Sequence, residues 1–358
     1  MERETLANKS EQIKILVSIP DGEVRDSFFS EEQRVRLERL GCVEWNANAE
    51  QYGEEELAEK LRGVDICISG WGNTPFHEKT LKYADKLKLI AHIGGSVRPM
   101  VGDAAFERGI RVCSGNRVFA ESVAEGVLAY MLCSLRRIGE YEARMAAGEW
   151  PSLIGTRGLL GRSVGLVGYG MIAEYLVKVL DGPSVFATSA FCHAIPLGCR
   201  IMVSSRHISA EELAEAGIEA AAAEEIFRTC DVVSLHSSLT ARTKHSIGTD
   251  LLNSMKDGAL LVNTARGALI DEEALVLVLQ ERPVWAALDV FETEPLPMDS
   301  PLRECERVLL MPHAAGPTAD RRYAVTSYVL DDIGRFLNGE PLDCEIDFAR
   351  AGTMTTVV

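Results

Sequence analysis

With 53 acidic residues against 37 basic ones, this 358-residue chain carries a formal net charge of −16, a field that disfavours nucleic acid and anionic membrane surfaces. At 47% hydrophobic and 25% charged residues it can bury two cores, and it exceeds the length of one ordinary domain. Nine scattered cysteines with no CxxC pair or His/Cys cluster fit free thiols in a reducing cytosol and no metal; neither Met1-Glu2-Arg3-Glu4 nor any apolar run reads as an export signal or membrane span, so a cytoplasmic protein is expected.

Ile13 to Pro20, Val64 to Gly70 and Leu87 to Ile93 read as strands, with charged helical stretches from Glu31 to Leu40 and from Glu54 to Leu61 between the first two. This alternation predicts a small α/β domain. Its third strand runs into Gly94-Gly95-Ser96-Val97-Arg98, where the amides of Gly95, Ser96 and Val97 can form an anion-binding concavity; an ordinary glycine turn is the competing reading. Trp71 follows the second strand and is a candidate substrate contact, although indoles are also common at domain interfaces. With no cation beside it in sequence, it favours an apolar substituent over a phosphate. Arg98 either reaches a second anionic group or is solvated. Ser122-Val123-Ala124-Glu125 reads as a capping box opening a long helix, with Val123, Val127, Met131 and Leu135 at helical spacing, that bridges to a second domain.

A short apolar strand from Arg162 to Val167 runs into Gly168-Tyr169-Gly170-Met171-Ile172-Ala173 and then a helical pattern. This is the dinucleotide fingerprint, GxGxxG, with alanine in its third glycine position. Gly168 permits the tight turn, Gly170 lets the backbone approach a pyrophosphate, and Ala173 lets helix and strand pack closely; the phosphates would rest on the helix N-terminus, against Met171 and Ile172. From Ala173 to Ser205 the chain runs 32 residues, more than the motif's spacing of about twenty. The excess, Asp181 to Pro196, belongs to a helix-to-strand loop away from the cofactor edge, and removing Gly182 to Pro196 is expected to leave cofactor affinity nearly unchanged. Cys192 and His193 within it lack the partners a metal needs. The next strand, Arg200 to His207, ends with Ser205 where an NAD enzyme carries an acidic residue for the ribose 2′-hydroxyl. Arg206 beside it can bond a 2′-phosphate, so NADP is favoured over NAD.

Three apolar strand-like runs follow, each ending at a polar residue: Gly258 to Asn263 before Arg266, Ala286 to Phe291 before Glu294, and Val308 to Met311 before His313. Open α/β sheets bind ligands at such strand ends. An arginine fork can clamp a carboxylate and polarise the neighbouring carbonyl, a histidine can pass a proton to the carbonyl oxygen, and a carboxylate beside it favours the imidazolium.

The glycine motif, the run Leu235-His236-Ser237-Ser238-Leu239-Thr240, the block Met255 to Gly267, Leu288-Asp289-Val290-Phe291 with Glu294-Pro295-Leu296, and Pro312-His313 together resemble the D-isomer-specific 2-hydroxyacid dehydrogenase family over nearly the whole chain. Ser238 stands where the family usually has proline, and Ala315 where it often has glycine. The resemblance implies an α/β fold of two domains, each a doubly wound parallel sheet. These are a flavodoxin-like substrate domain in 1–118 and 317–358, re-entered by a helix from Arg321 to Leu337, and a Rossmann dinucleotide-binding domain in 119–316. It implies reversible reduction of a small 2-oxo acid, of the glyoxylate or hydroxypyruvate kind, with Arg266, Glu294 and His313 as catalytic set. Asp289 would contact the nicotinamide carboxamide; His236, Thr240, Thr264 and Ala265 fall in the matching motifs as cofactor contacts. A homodimer is implied, with the helix near Ser122 as an interface element. A dinucleotide-sensing binding protein, like the family's corepressor relatives, is the alternative.

Overall fold

The computed structural model describes residues 13–152, 154–181 and 197–355. The insertion from Gly182 to Pro196, with Cys192 and His193, lies outside them. The chain divides into two compact units, one of Met1–Phe119 with Pro317–Val358, the other of Ala120–Gly316.

In the first unit five parallel strands, β1 Lys14–Val17, β2 Cys42–Trp45, β3 Ile66–Ser69, β4 Leu89–His92 and β5 Arg111–Ser114, lie in the order β2-β1-β3-β4-β5. The strands β3 and β4 are buried at every position, which is why they read as unbroken apolar runs. The edge strand β2 alternates exposed and half-buried residues and carries a glutamate; β5 opens with Arg111. Neither stands out as a strand in the sequence, because each takes its extended form from pairing with a neighbour. The helix Arg322–Asn338 returns to this unit, burying Val325, Val329, Leu330 and Ile333 against Ile15, Val17, Ile66 and Leu89.

The second unit is a seven-stranded parallel sheet: β6 Ser163–Val167, β7 Arg200–Ser204, β8 Glu219–Ala220, β9 Val232–Leu235, β10 Leu260–Asn263, β11 Trp285–Leu288 and β12 Val308–Leu310, in the order β12-β11-β10-β9-β6-β7-β8. Chain direction across the sheet reverses between β6 and β9, the switch point where such sheets bind ligands. Both units are therefore doubly wound α/β sheets.

The long helix differs from its sequence reading. It spans Asn116–Leu135, so Ser122 and Glu125 lie inside it and do not cap its start. The amide of Phe119 already bonds the Gly115 carbonyl at 3.1 Å, and a capping pattern has no free amides to satisfy within a continuing ladder. By length and composition this helix could also cross a bilayer, with a mean hydropathy of 1.5, contrary to the expectation that no run would. Its Val127, Met131 and Leu135 instead pack into the core of the second unit. Exposed apolar side chains lie in the following segment, at Ile138, Met145, Trp150, Ile154 and Leu160.

Candidate active site

Several polar groups of the second unit gather at the C-terminal ends of its strands, and His313, Asp289 and the Arg266 loop are each held by a neighbour. His313 sits three residues past β12, with its Nδ1 2.8 Å from Glu294 Oε2. Its backbone is left-handed, at φ 55°, which a side chain other than glycine's adopts only under local constraint. Asp289, directly after β11 and 1% exposed, supplies that constraint. Its carbonyl accepts the His313 amide at 2.8 Å, while its two carboxylate oxygens accept the amides of Ala314 at 2.7 Å and Ala315 at 3.0 Å. One carboxylate oxygen also accepts the Tyr130 hydroxyl at 3.2 Å. Burial, then the Asp289 charge, pushes the Tyr130 phenol up, so it stays a donor. The Asp289 carboxylate, expected to contact a nicotinamide carboxamide, also holds the His313 turn and keeps acceptor capacity beyond these bonds.

Arg266 follows β10 by three residues on a loop folded by Asn263, which is fully buried. Asn263 donates from Nδ2 to the Arg266 carbonyl at 2.9 Å and accepts the Ala265 amide at 3.1 Å. The Ala265 amide is therefore already taken. The Arg266 guanidinium donates to the Ala265 carbonyl at 2.6 Å. Burial pulls its pKa below the ordinary value, the Glu294 charge opposing this, and an arginine still stays protonated. Gly267 is required by contact: a Cβ there would lie 1.9 Å from the Phe291 carbonyl carbon. That close approach lets the Arg266 loop pass beside the strand-end segment carrying Glu294, whose Oε1 accepts the Phe291 amide at 3.0 Å.

The glycine loop after β6 has the form a dinucleotide needs. Gly168 has φ 100°, and a Cβ there would meet the His236–Ser237 peptide at 2.6 Å, so this glycine serves both turn and packing. Gly170 faces open space, and Ala173 is fully buried behind it at the start of the helix Met171–Asp181. Tyr169 and Ile172 pack on the core. Beside this loop, at the ends of paired strands β9 and β10, the His236 Nε2 and Thr264 Oγ1 atoms are buried without a hydrogen-bond partner. Buried polar atoms are rarely left so, and oxygens and nitrogens of a bound dinucleotide fit the need. Burial pushes His236 down to about 4, so it is neutral at physiological pH. Thr240 is turned inward, its amide and hydroxyl bonded to the Thr243 hydroxyl at 2.8 and 3.1 Å. Ser205 comes immediately after β7, in register with the β6 loop, and Arg206 beside it is exposed.

In the first unit, Val97 is fully buried with its side chain in the core, leaving only its backbone for a ligand. The Ser96 hydroxyl is buried without a partner. Arg98 lies against Asp103, with Nη1 2.6 Å from Oδ1, so the cation has a carboxylate beside it. Trp71 is 43% exposed. The expectation that no cation stands beside it fails: the Arg322 guanidinium lies over its ring at 5.4 Å, brought there by a helix more than two hundred residues away in sequence. The expectation of no His/Cys cluster likewise overlooked Cys113, Asp332 and Cys344, whose ligand atoms lie within 4.8 Å of one another. The Asp332 carboxylate there already accepts the amides of Asp343 and Cys344, at 2.8 and 2.9 Å.

Comparison with known proteins shows the family. The model of the D-isomer specific 2-hydroxyacid dehydrogenase NAD binding domain matches residues 128–315. D-3-phosphoglycerate dehydrogenase of Methanocaldococcus jannaschii is 33% identical over 332 residues, which are 92% of this chain and 58% of that protein. Glyoxylate reductase of Thermococcus litoralis is 32% identical over 293 residues, 79% of this chain and 84% of that protein. The crystal structure of a glyoxylate reductase from Paecilomyes thermophila superposes with a TM-score of 0.75 at 26% identity, over 94% of this chain and 98% of that one. The chain belongs to the D-isomer-specific 2-hydroxyacid dehydrogenases, nicotinamide-dependent oxidoreductases acting on CH–OH groups, and its second unit is their NAD-binding domain.

Proposed function

We propose that this protein reduces a small 2-oxo acid to the D-2-hydroxy acid, reversibly, with His313 as general acid and base. The observation that carries the reading is the 2.8 Å contact of His313 Nδ1 with Glu294 on a turn pinned by Asp289. With Nδ1 engaged by a carboxylate, Nε2 is the ring nitrogen that passes the proton. A bound nicotinamide supplies the hydride to the carbonyl carbon. Arg266 grips the substrate carboxylate and polarises the carbonyl oxygen, His313 protonates that oxygen, and Glu294 stabilises the imidazolium. The names of the relatives, which include glyoxylate reductases and a glyoxylate/hydroxypyruvate reductase B of Yersinia pestis, support a small substrate. The decisive measurement is loss of reduced-nicotinamide absorbance with glyoxylate, hydroxypyruvate, pyruvate and bulkier 2-oxo acids, followed by chiral analysis of the product. Tight dinucleotide binding without turnover on any of them, or an L-product, overturns this reading; the former favours a dinucleotide sensor.

For the cofactor, NADPH is preferred over NADH. Ser205 leaves no carboxylate to repel a 2′-phosphate, and the exposed Arg206 next to it supplies a charge-assisted donor. Arg206→Ala weakens NADPH by roughly 1.5–3 kcal/mol, the range for a lost bond to a charged group, with a much smaller effect on NADH. Titration of both cofactors by calorimetry checks this; equal losses place the arginine outside the site. The protein works as a homodimer, as the exposed apolar run from Ile138 to Leu160 suggests; light scattering at micromolar concentration tests that.

A further inference from the structure

The segment that presents Glu294 carries another carboxylate two residues earlier, and the second unit grips that one as well. Glu292 Oε1 lies 2.8 Å from His245 Nε2 and accepts the Glu272 amide at 3.4 Å, while the Glu292 amide donates to Glu272 Oε1 at 2.6 Å. Glu272 opens the helix Glu272–Glu281, whose start is capped by the Asp271 carboxylate accepting the Ala274 amide at 3.0 Å. The helix therefore fixes Glu272 independently of Glu292. His245, like His313, has a left-handed backbone, at φ 51°, and its amide donates to the Ala268 carbonyl at 2.8 Å. Two imidazole–carboxylate contacts, His245 with Glu292 and His313 with Glu294, thus flank one short turn.

Only Thr293 separates Glu292 from Glu294. An amide fixed at Glu292, with the Glu294 Oε1 bond to the Phe291 amide at 3.0 Å, therefore defines where the Glu294 carboxylate lies. We propose that Glu272 and His245 are positioning residues of the proton relay, which hold Glu294 against Nδ1 of His313 by clamping Glu292. A carboxylate displaced from an imidazole loses both the hydrogen bond and the orientation it imposes. The arrangement works against the charge of Glu272, which is half-buried. Burial raises its pKa, the Glu292 amide lowers it, the Glu292 and Glu294 charges raise it again, and His245 opposes them; these are the groups that face it, whereas Glu273 on the same helix is exposed. The clamp rests on the role given to His313 above and deepens it.

The test compares Glu272→Ala, which removes the acceptor, with Glu272→Gln, which keeps it, in the full chain with the cofactor and the 2-oxo acid that the wild type turns over fastest. Glu272→Ala is expected to lower kcat by roughly tenfold, short of the hundredfold that about 1 Å of misplacement can cost, with KM little changed. It also moves the alkaline limb of the kcat profile to lower pH, because an imidazolium without its carboxylate neighbour gives up its proton more readily. Glu272→Gln keeps most of kcat. His245→Ala, at an exposed position, moves both readouts the same way by a smaller factor and serves if Glu272→Ala does not fold. A folded Glu272→Ala with wild-type kcat, a fall in kcat with no movement of the alkaline limb, or Glu272→Gln impaired as much as Glu272→Ala overturns the clamp while leaving the reductase intact. Histidine titration by NMR needs no turnover: the imidazole signal that is absent from His313→Ala should titrate at lower pH in Glu272→Ala than in the wild type, and an unmoved signal overturns the clamp. That movement, in a protein that reduces none of the 2-oxo acids, would keep the clamp and remove the reductase reading.

Discussion

The two units share an architecture and differ in how their strand-end polar groups are satisfied. In the second, Asp289 holds three consecutive amides and a tyrosine hydroxyl, Asn263 clamps the Arg266 loop, and Glu294 holds His313. In the first, the corresponding loops carry Trp71, Gly94, Gly95 and Ser96; the Ser96 hydroxyl has no partner, as His236 Nε2 and Thr264 Oγ1 of the second unit have none, and among the described residues no carboxylate pairs with Arg322. A proton-transfer group, the role proposed for His313, must be fixed before substrate arrives, so its supports are built into the protein. A binding wall can leave donors open for the ligand to satisfy. One scaffold therefore accommodates both designs, and loop chemistry decides which.

Four measurements sharpen or break that contrast. The largest effect belongs to Asp289→Ala, which strands the amides of Ala314 and Ala315 and the Tyr130 hydroxyl in a buried site; at about 1–3 kcal/mol for each unsatisfied group, the loss is about 4 kcal/mol in denaturant unfolding. A change below about 1 kcal/mol would mean that the His313 turn does not depend on this carboxylate.

Next comes the pH dependence of stability from His92, buried beneath the Gly94 loop with its Nδ1 3.0 Å from the Ser69 hydroxyl. Burial pushes it down to about 4 from an ordinary 6.5. As pH falls the unfolded chain takes up this proton first, so the contribution is complete above about 6.5, is lost between there and about 4, and is level below. It amounts to about 3 kcal/mol. His92→Gln should reduce the fall in stability across that window by about half, since His236 is pushed down equally by burial and contributes the remainder, and an unchanged slope would contradict the neutral buried form.

Third, His313→Ala is expected to lower turnover by on the order of a hundredfold, about 2.7 kcal/mol of barrier, with cofactor binding kept. Near-normal turnover at its optimum pH would move proton transfer to another group. The smallest effect is Ser96→Ala, within about 0.5 kcal/mol of wild type in the ligand-free protein, because the hydroxyl has no partner to lose. A cost comparable to that of Asp289→Ala would erase the distinction between the two units.

Much of the site was legible in the chain because these parallel strands are largely apolar and are followed within three residues by polar ones, Arg266 after Asn263, Asp289 after Leu288 and His313 after Leu310. Gly168 and Gly170 were legible from the turn they impose, whereas Gly267 was not: its need comes from the Phe291 backbone, which only folding brings within reach. Tyr130 gave no signal, since its partner Asp289 is 159 residues away. The Ser122 pattern misled because S-x-x-E describes a helix start only where amides are free, and here the helix already runs from Asn116.

What the sequence determined by itself was local: the period of its strands, the glycine turn, and the residue types at strand ends, all consequences of neighbouring residues sharing a backbone. What the tertiary structure decided was which distant groups meet. It set the Asp289 carboxylate against the amides of the His313 turn, brought Arg98 to Asp103, and set Arg322 over Trp71. Hydrogen bonds and charge pairs act over a few ångströms, and the distance between two side chains is a property of the fold, which no spacing along the chain encodes.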